Sequence, residues 1–257
     1  MNNKIRLQKI IADSGYCSRR RAEAYIKEGR VKVNGRTVQI GDKASERGDI
    51  ITVNGERIAS KAKPRYIKLY KPRGYLCSAS DPHVGTKRLV TELLNKIPER
   101  VYPVGRLDVN SEGLILLTND GGFANRIAHP SSAVSKIYRV TVAGKADELK
   151  AEKLASGVDI GEGEITRPCS VQIITEEEKR TVMLFAISEG KNRQIRRMCE
   201  AVGLDVSRLK RVSVGGVKLG VLKPGEYADL TKQELRLLEV TCGRNKESSE
   251  SRRNRKI

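Results

Sequence analysis

Residues 104–120, VGRLDVNSEGLILLTND, combine a polar turn with an apolar run, and the interpretation of the chain starts from them. The turn at 105–108 leads into a continuous apolar stretch at 113–118, which is typical of a buried strand. A carboxylate in such a turn, here Asp108, can face a cleft while the strand holds it in place. Taken alone, an Asp between Leu and Val more often caps a turn or pairs with a nearby cation such as Arg106.

Strand and helix signals alternate irregularly on both sides of this segment. Strand-like runs occupy 66–70, 113–118, 137–142 and 181–187, and helical stretches lie near 122–128, 146–155, 192–202 and 231–240. This order predicts an α+β domain over residues 66–242, with a mixed, largely antiparallel sheet flanked by helices.

The beginning of the chain predicts two short helices. Apolar residues within 7–11 have helical spacing, and Ser18 can cap a second helix over residues 19–28. That helix starts with Arg19, Arg20 and Arg21, and three cations at the positive end of a helix dipole are locally unfavourable. A phosphate ligand would explain them, although a solvated basic face is the ordinary alternative.

Two strand-like runs follow these helices, each ending in an Asn-Gly turn, at 34–35 and at 54–55. We therefore expect a helix, helix and small sheet module over residues 1–62, with a linker that ends at residue 65. The polar, repetitive residues 243–257 lack apolar anchors and predict a basic tail without regular structure.

Charge and composition favour a polyanionic partner. Fifty Lys and Arg residues against 31 Asp and Glu give a net charge of +19, and residues 1–65 alone carry 16 basic and 7 acidic side chains. Charge by itself does not separate RNA from DNA or acidic lipid. No stretch approaches the roughly 18 apolar residues of a membrane span, and the first residues do not read as a secretion signal, so we expect a cytoplasmic protein. Five scattered cysteines predict reduced thiols and no structural zinc.

The stretch RLQKIIADSGYCSRRRAEAYIKEGRVKVNG, residues 6–35, resembles the S4 domain, a small RNA-binding fold. The resemblance implies a binding surface that runs from the first helix towards the sheet. Its expected members are Ser18, Arg19, Arg20, Arg21 and Lys32.

The string GRLDVNSEGLILLTND, residues 105–120, closely resembles the catalytic motif of the RsuA and RluA families of pseudouridine synthases. A preceding S4-like module and Asn-Asp-Gly at 119–121 point to the branch with RsuA, RluB, RluE and RluF. Three further segments fit this branch in order: KPRG at 71–74, KIYR at 136–139 and SEGKNRQIRRM at 188–198.

This resemblance implies that the protein isomerises a uridine to pseudouridine within RNA, without a cofactor or a metal. The expected partner is ribosomal RNA, with no DNA and no membrane, and the expected state is a monomer. Asn192-Arg193, where small-subunit enzymes more often show an aromatic-His pair, favours 23S over 16S rRNA. Ser111 stands where many relatives have Thr, which keeps the hydroxyl.

The resemblance also implies roles for individual residues. Asp108 is expected to be the essential carboxylate, which either attacks the anomeric carbon or removes a neighbouring sugar proton. Arg196 is expected to pair with Asp108 and keep it ionised and oriented. No water is added in the reaction, so a single carboxylate suffices. The nearby acids Glu112, Asp120 and Glu189 are therefore expected to be structural.

Other residues are expected to hold the RNA. Tyr138 has the position of the aromatic residue that stacks on the target uracil, although alone it would read as a core tyrosine. Arg106 either fills the gap left by a flipped base or makes an ordinary salt bridge or phosphate contact. Arg193, Arg196 and Arg197 fall at i, i+3 and i+4 of one helical face, and the first and last are assigned to phosphates. Ile187 fits either under the uracil or in the core.

Two rival functions remain at this stage. A non-catalytic, ribosome-associated S4 protein would explain the charge but leave Asp108, Tyr138 and Arg196 without a role. An S4-bearing RNA methyltransferase should carry a Gly-rich turn after its first strand, whereas this chain has only the isolated doublets Gly121-Gly122 and Gly215-Gly216.

Overall fold

The computed structural model describes residues 4–59, 61–78 and 88–253, with side chains described as far as Cys242. These residues divide into two compact units. The first holds the chain up to Arg65 together with Lys96–Val101 and Asn119–Gly121, and the second holds the remainder. Asn119 attaches its segment to the first unit, because its Oδ1 accepts from the Arg65 N–H at 2.8 Å and its Nδ2 donates to the Lys63 carbonyl at 2.8 Å.

The first unit has the helix, helix and sheet order that the sequence predicts. Its elements are β1 (Ile5–Arg6), α1 (Leu7–Asp13), α2 (Arg19–Lys27), β2 (Val31–Val33), β3 (Arg36–Thr37), β4 (Lys43–Ala44), β5 (Ile51–Val53) and β6 (Glu56–Arg57). The strands pair as a four-stranded antiparallel sheet, β3-β2-β5-β6, and a separate β1-β4 pair. Asn34 and Asn54 adopt the left-handed conformation that their hairpin turns require.

The second unit contains the longer elements. They are β7 (Tyr66–Lys71), β8 (Tyr75–Leu76), β9 (Arg88–Leu89), a 3-10 helix (Val90–Leu94), β10 (Tyr102–Val104), β11 (Glu112–Thr118), α3 (Gly121–Ala128), a 3-10 helix (Pro130–Ser132), β12 (Lys136–Ala143), α4 (Glu148–Ser156), β13 (Ser170–Glu177), β14 (Arg180–Ile187), α5 (Gln194–Ala201), β15 (Val206–Val214), β16 (Val217–Lys218), β17 (Tyr227–Asp229) and α6 (Lys232–Arg253).

Nine of these strands form one sheet in the order β13-β14-β12-β15-β11-β7-β17, with β10 beside β11 and β16 beside β15. Every pairing in it is antiparallel except β11 with β15. The α+β fold with a mixed, largely antiparallel sheet is thus confirmed. The parallel pair depends on Gly113, because a Cβ there would lie 2.2 Å from the Arg211 carbonyl oxygen.

Helices pack on this sheet through two apolar clusters. Side chains of α4 and α5 join those of β12, β14 and β15 in one cluster, where Phe185 and Met198 are fully buried. The other cluster joins α3 and α6 to β7 and β11, with Phe123 and Leu238 at its centre. All seven residues of β11 are buried, so this strand is a rigid support for the turn that precedes it.

Three features differ from the sequence-based expectation. Strands β13 and β15 had no clear signal, because polar and charged residues alternate along them. Helix α5 begins at Gln194 rather than near 192, because Arg193 is left-handed. The tail continues α6 as far as Arg253, since extending an existing helix avoids the cost of nucleation; residues 254–257 lie outside the described part of the chain.

Candidate active site

Asp108 lies in the loop that joins β10 to β11, and two neighbouring segments hold this loop. Its own carbonyl accepts a hydrogen bond from the Ser111 N–H at 3.0 Å, which closes a turn at the start of β11. The Gly74 N–H donates to the Val109 carbonyl at 2.8 Å. The Leu107 N–H lies 3.2 Å from the Cys77 sulfur.

Lys71 is the central anchor of this loop. The side chain is completely buried, and its Nζ donates to the carbonyls of Pro72 at 3.0 Å, Asp108 at 3.1 Å and Ser111 at 2.7 Å. Burial lowers the pKa of Lys71 from its ordinary value, while the charge of Asp108 is among the effects that oppose this shift. The KPRG segment therefore supports the Asp108 loop through a buried ammonium and the Gly74 amide.

A cavity of about 100 Å³ opens beside Asp108. The ring of Tyr138, which is only 8% exposed, and the apolar side chains of Ile187, Ile195 and Leu209 line it. Asp108 is the only carboxylate among the described residues that line this cavity. An aromatic and apolar slot with one carboxylate suits a planar base attached to a sugar.

A larger cavity of about 330 Å³ adjoins the first. The two share six lining residues: Arg106, Asp108, Tyr138, Gly190, Lys191 and Arg193. The larger cavity is also lined by three further basic residues, His129, Lys136 and Arg211, and by one acid, Glu189. The structure thus brings Asp108, Tyr138, Arg106 and Arg193 to one place, and their roles stay predictions.

The expected ion pair between Asp108 and Arg196 is not formed. The Arg196 guanidinium donates instead to the carbonyls of Val206 at 2.9 Å and Asn110 at 3.2 Å. Arg196 therefore contacts the backbone of the Asp108 loop and not the Asp108 carboxylate. Burial and the charge of Arg193 lower the pKa of Arg196, whereas Asp108 acts in the opposite direction, so the two charges are within electrostatic range.

The three arginines at 193, 196 and 197 do not share one helical face as expected, because only the last two lie within α5. Arg193 precedes the helix with φ +47°, which costs about 1–2 kcal/mol for a residue with a Cβ. This conformation brings Arg193 to both cavities. Arg197 lines neither: it pairs with Glu164 at 2.7 Å and donates to the Ile160 carbonyl at 2.8 Å.

Two acids expected to be structural have structural partners. Glu112 is buried and accepts from the Tyr70 hydroxyl at 2.7 Å and from Arg208 at 2.6 Å. Burial acts to raise the pKa of Glu112, but these hydrogen bonds outweigh it and the pKa is lowered. Glu189 accepts from the Arg167 N–H at 3.0 Å and from Gln194 Nε2 at 2.6 Å.

The basic residues of the first unit are exposed, as an RNA surface requires. Arg19, Arg20, Arg21 and Lys32 are all open to solvent. The Ser18 hydroxyl accepts from the Arg21 N–H at 3.1 Å and caps α2, which confirms the predicted cap. The Arg21 guanidinium also lies 4.5 Å from the centroid of the Tyr25 ring.

Three residues of the site were not singled out from the sequence: Lys71, Lys136 and Arg211. The first two lie in the KPRG and KIYR segments, but nothing local distinguishes them from surface lysines. Arg211 shares the face of Leu209, two residues away on β15, but this strand had no clear sequence signal from which that face could be predicted. Within the described residues no group of three or more His, Cys, Asp or Glu side chains could hold a metal ion, and no helix there is long and apolar enough to cross a membrane.

Comparison with known proteins agrees with this geometry. Residues 65–201 match the family described as RNA pseudouridylate synthase, and residues 5–51 match the S4 domain. The chain is 41% identical over 244 residues to ribosomal large subunit pseudouridine synthase B of Bacillus subtilis (strain 168), covering 94% of this chain and 98% of that protein. It is 38% identical over 236 residues to the dual-specificity RNA pseudouridine synthase RluF of Escherichia coli (strain K12), covering 91% and 78%.

A solved pseudouridylate synthase has the same fold, with a TM-score of 0.65 and 32% identity over 91% of this chain and 99% of that one. The chain therefore belongs to the RNA pseudouridylate synthase family, in the branch of the RluB and RluF type that carries an S4 domain. It is an enzyme that acts on RNA.

Proposed function

We propose that the enzyme converts a specific uridine of 23S rRNA to pseudouridine, with Asp108 as the one essential carboxylate. The observation that carries this proposal is the small cavity, where a single carboxylate lies among Tyr138 and apolar side chains. Large-subunit specificity is supported by the name of the Bacillus subtilis relative, which is similar over nearly its whole length. The pair Asn192-Arg193 also supports 23S over 16S rRNA, because small-subunit enzymes more often have an aromatic-His pair there.

The reaction transfers the ribose carbon C1′ from N1 of uracil to C5. The C1′–N1 bond breaks, the detached base rotates within the cavity, and a C1′–C5 bond forms; C5 then loses a proton and N1 gains one. Asp108 acts as an ionised group, whether it attacks C1′ or removes the proton of C2′. Tyr138 and the apolar wall hold the free uracil close to the sugar.

A base inside an RNA helix reaches this cavity only if it is flipped out, which costs a few kcal/mol. Arg106 suits the vacated position, because it is exposed at the edge of both cavities and its side chain has no ion-pair partner within the described residues. We propose that the enzyme works as a monomer. An rRNA substrate would place it in the cytoplasm.

Pseudouridine mapping of rRNA tests this proposal. In a strain without the gene, one 23S uridine should lose its modification, and the wild-type protein but not Asp108→Asn should restore it. The purified Asp108→Asn protein should bind RNA with nearly normal affinity, since only the reactive oxygen is changed. Glu112→Gln is the matched control: it removes a buried structural carboxylate four positions away, so it should unfold more easily yet still turn over. A modified site in 16S rRNA would refute the 23S assignment, and an active Asp108→Asn enzyme would refute the role of the carboxylate.

A further inference from the structure

One half-buried cation and one buried cation, Lys136 and Arg211, form one side of the larger cavity. Lys136 and Tyr138 are two residues apart on one face of β12, and Arg211 of β15 is the register partner of Tyr138. Lys136 and Arg211 both line the cavity of about 330 Å³. Arg211 is only 3% exposed, although it belongs to a residue type that is almost never buried without a partner.

The hydrogen bonds of these cations are incomplete. Arg211 Nε donates to the Leu114 carbonyl at 2.7 Å, and its Nη1 lies 3.4 Å from the Arg106 carbonyl and 3.5 Å from the Tyr138 hydroxyl. Its Nη2 atom is buried without any partner. Lys136 Nζ donates to one group, the Val134 carbonyl, at 3.1 Å. One guanidinium N–H₂ group and part of one ammonium are thus left to bind a ligand.

No carboxylate neutralises the pair. Neither Lys136 nor Arg211 has an ion-pair partner within 4.0 Å in the described part of the chain. Burial and, after it, the charge of Arg211 lower the pKa of Lys136 to about 8. The acids that line the cavity are Asp108, which the reaction needs, and Glu189, which is bound to Arg167 and Gln194. Two neighbouring cations without an anion, one buried and one half-buried, destabilise the free protein.

We propose that Lys136 and Arg211 bind a backbone phosphate of the RNA next to the target nucleotide. This rests on the proposed reaction at Asp108, because it takes the target base to occupy the adjoining smaller cavity. A phosphate supplies the missing negative charge, and its oxygens accept from both a guanidinium and an ammonium. Phosphate contacts fix the register of a nucleic acid, so this subsite would set the position of the ribose against Asp108.

The test neutralises single phosphates. A synthetic RNA hairpin containing the mapped uridine is made with one methylphosphonate at a time, at each phosphate within three nucleotides of the target. For the wild-type protein, one of these positions should weaken binding on the order of tenfold, the usual size for a lost charge-assisted hydrogen bond. Lys136→Met should weaken binding of the unmodified RNA similarly and should be insensitive to that same methylphosphonate.

The salt dependence gives a second measurement. The slope of log K against log salt should become less steep by about 0.7–0.9 in Lys136→Met, as for one lost phosphate contact. Lys153→Met is the matched control, because Lys153 is exposed on α4 and lines neither cavity, and it should bind like the wild type. If every methylphosphonate weakens the wild type and Lys136→Met equally, the phosphate subsite is excluded.

Stability separates this role from a structural one. Lys136→Met removes a half-buried charge that has no anionic partner, so its melting temperature without RNA should equal or exceed that of the wild type. A clear fall would mean that Lys136 holds the fold and would overturn the proposal. Arg211→Met is a weaker probe, since it also leaves the Leu114 carbonyl unpaired. An active Asp108→Asn enzyme would refute the proposed reaction. If Asp108 proves essential but Lys136→Met is as sensitive to every methylphosphonate as the wild type, only the phosphate subsite is refuted.

Discussion

Replacing Lys71 with Met should both destabilise the second unit and misplace Asp108. Met has nearly the same length and fills the space, but it cannot donate to the carbonyls of Pro72, Asp108 and Ser111, which lie within 3.1 Å of the ammonium. Each buried carbonyl left without a donor costs about 1–3 kcal/mol. This applies to Pro72 and Ser111, because the Asp108 carbonyl keeps its hydrogen bond from the Ser111 N–H. Part of this loss in the free energy of unfolding is offset, because the buried ammonium of the wild type carries a desolvation cost that Met does not.

The expected net loss is about 2–4 kcal/mol, the cost of two unpaired carbonyls less the relieved desolvation of the ammonium. For a domain of this size it corresponds to a fall in melting temperature of roughly 4–16 °C. At temperatures where the variant is still folded, kcat should fall roughly 100-fold, the scale for a displacement of about 1 Å at a reacting group. RNA affinity should change little, because Lys71 is buried beneath the loop.

Thermal unfolding and single-turnover pseudouridine formation measure the two effects. Lys68→Met is the matched control on the same strand: its Nζ pairs with Glu234 at 2.6 Å, both side chains being half-buried, so its loss removes an ion pair but should leave the Asp108 loop and turnover unchanged. If Lys71→Met unfolds and turns over like Lys68→Met, the Asp108 loop does not depend on the buried ammonium.

Three further changes test other parts of the structure. Arg193→Gly relieves the left-handed strain of a residue with φ +47° and should raise the unfolding free energy by about 1 kcal/mol while weakening RNA binding; a less stable variant with full affinity would contradict this. Gly113→Ala should cost more than about 2 kcal/mol in denaturant unfolding, because its Cβ would lie 2.2 Å from the Arg211 carbonyl oxygen, whereas Gly41→Ala, with a similar φ of +100° but open space, should cost clearly less. Changing the three arginines at the start of α2 to Gln should make the salt slope of RNA binding less steep by about 0.7–0.9 for each lost phosphate contact, measured by fluorescence anisotropy; an unchanged slope would remove them from the RNA surface.

Local pattern was enough to predict the fold class and to place Asp108 in a turn before a buried strand. Helical spacing, the cap at Ser18 and two Asn-Gly turns predicted the first unit, because these signals act within a few residues. The apolar run before Thr118 predicted the buried strand that supports Asp108. The resemblance of residues 105–120 to a known motif then supplied the chemistry, which spacing alone could not.

Only the tertiary structure decided which cations meet at the site. Arg211 and Leu114 are 97 positions apart in the chain, and they meet because Gly113 allows β11 to pair in parallel with β15. Arg196 donates to the Asn110 carbonyl rather than to the Asp108 carboxylate, and the left-handed Arg193 starts α5 later than its apolar spacing suggests. Sequence periodicity reports which face of an element is buried, whereas the register between distant strands depends on packing across the whole sheet.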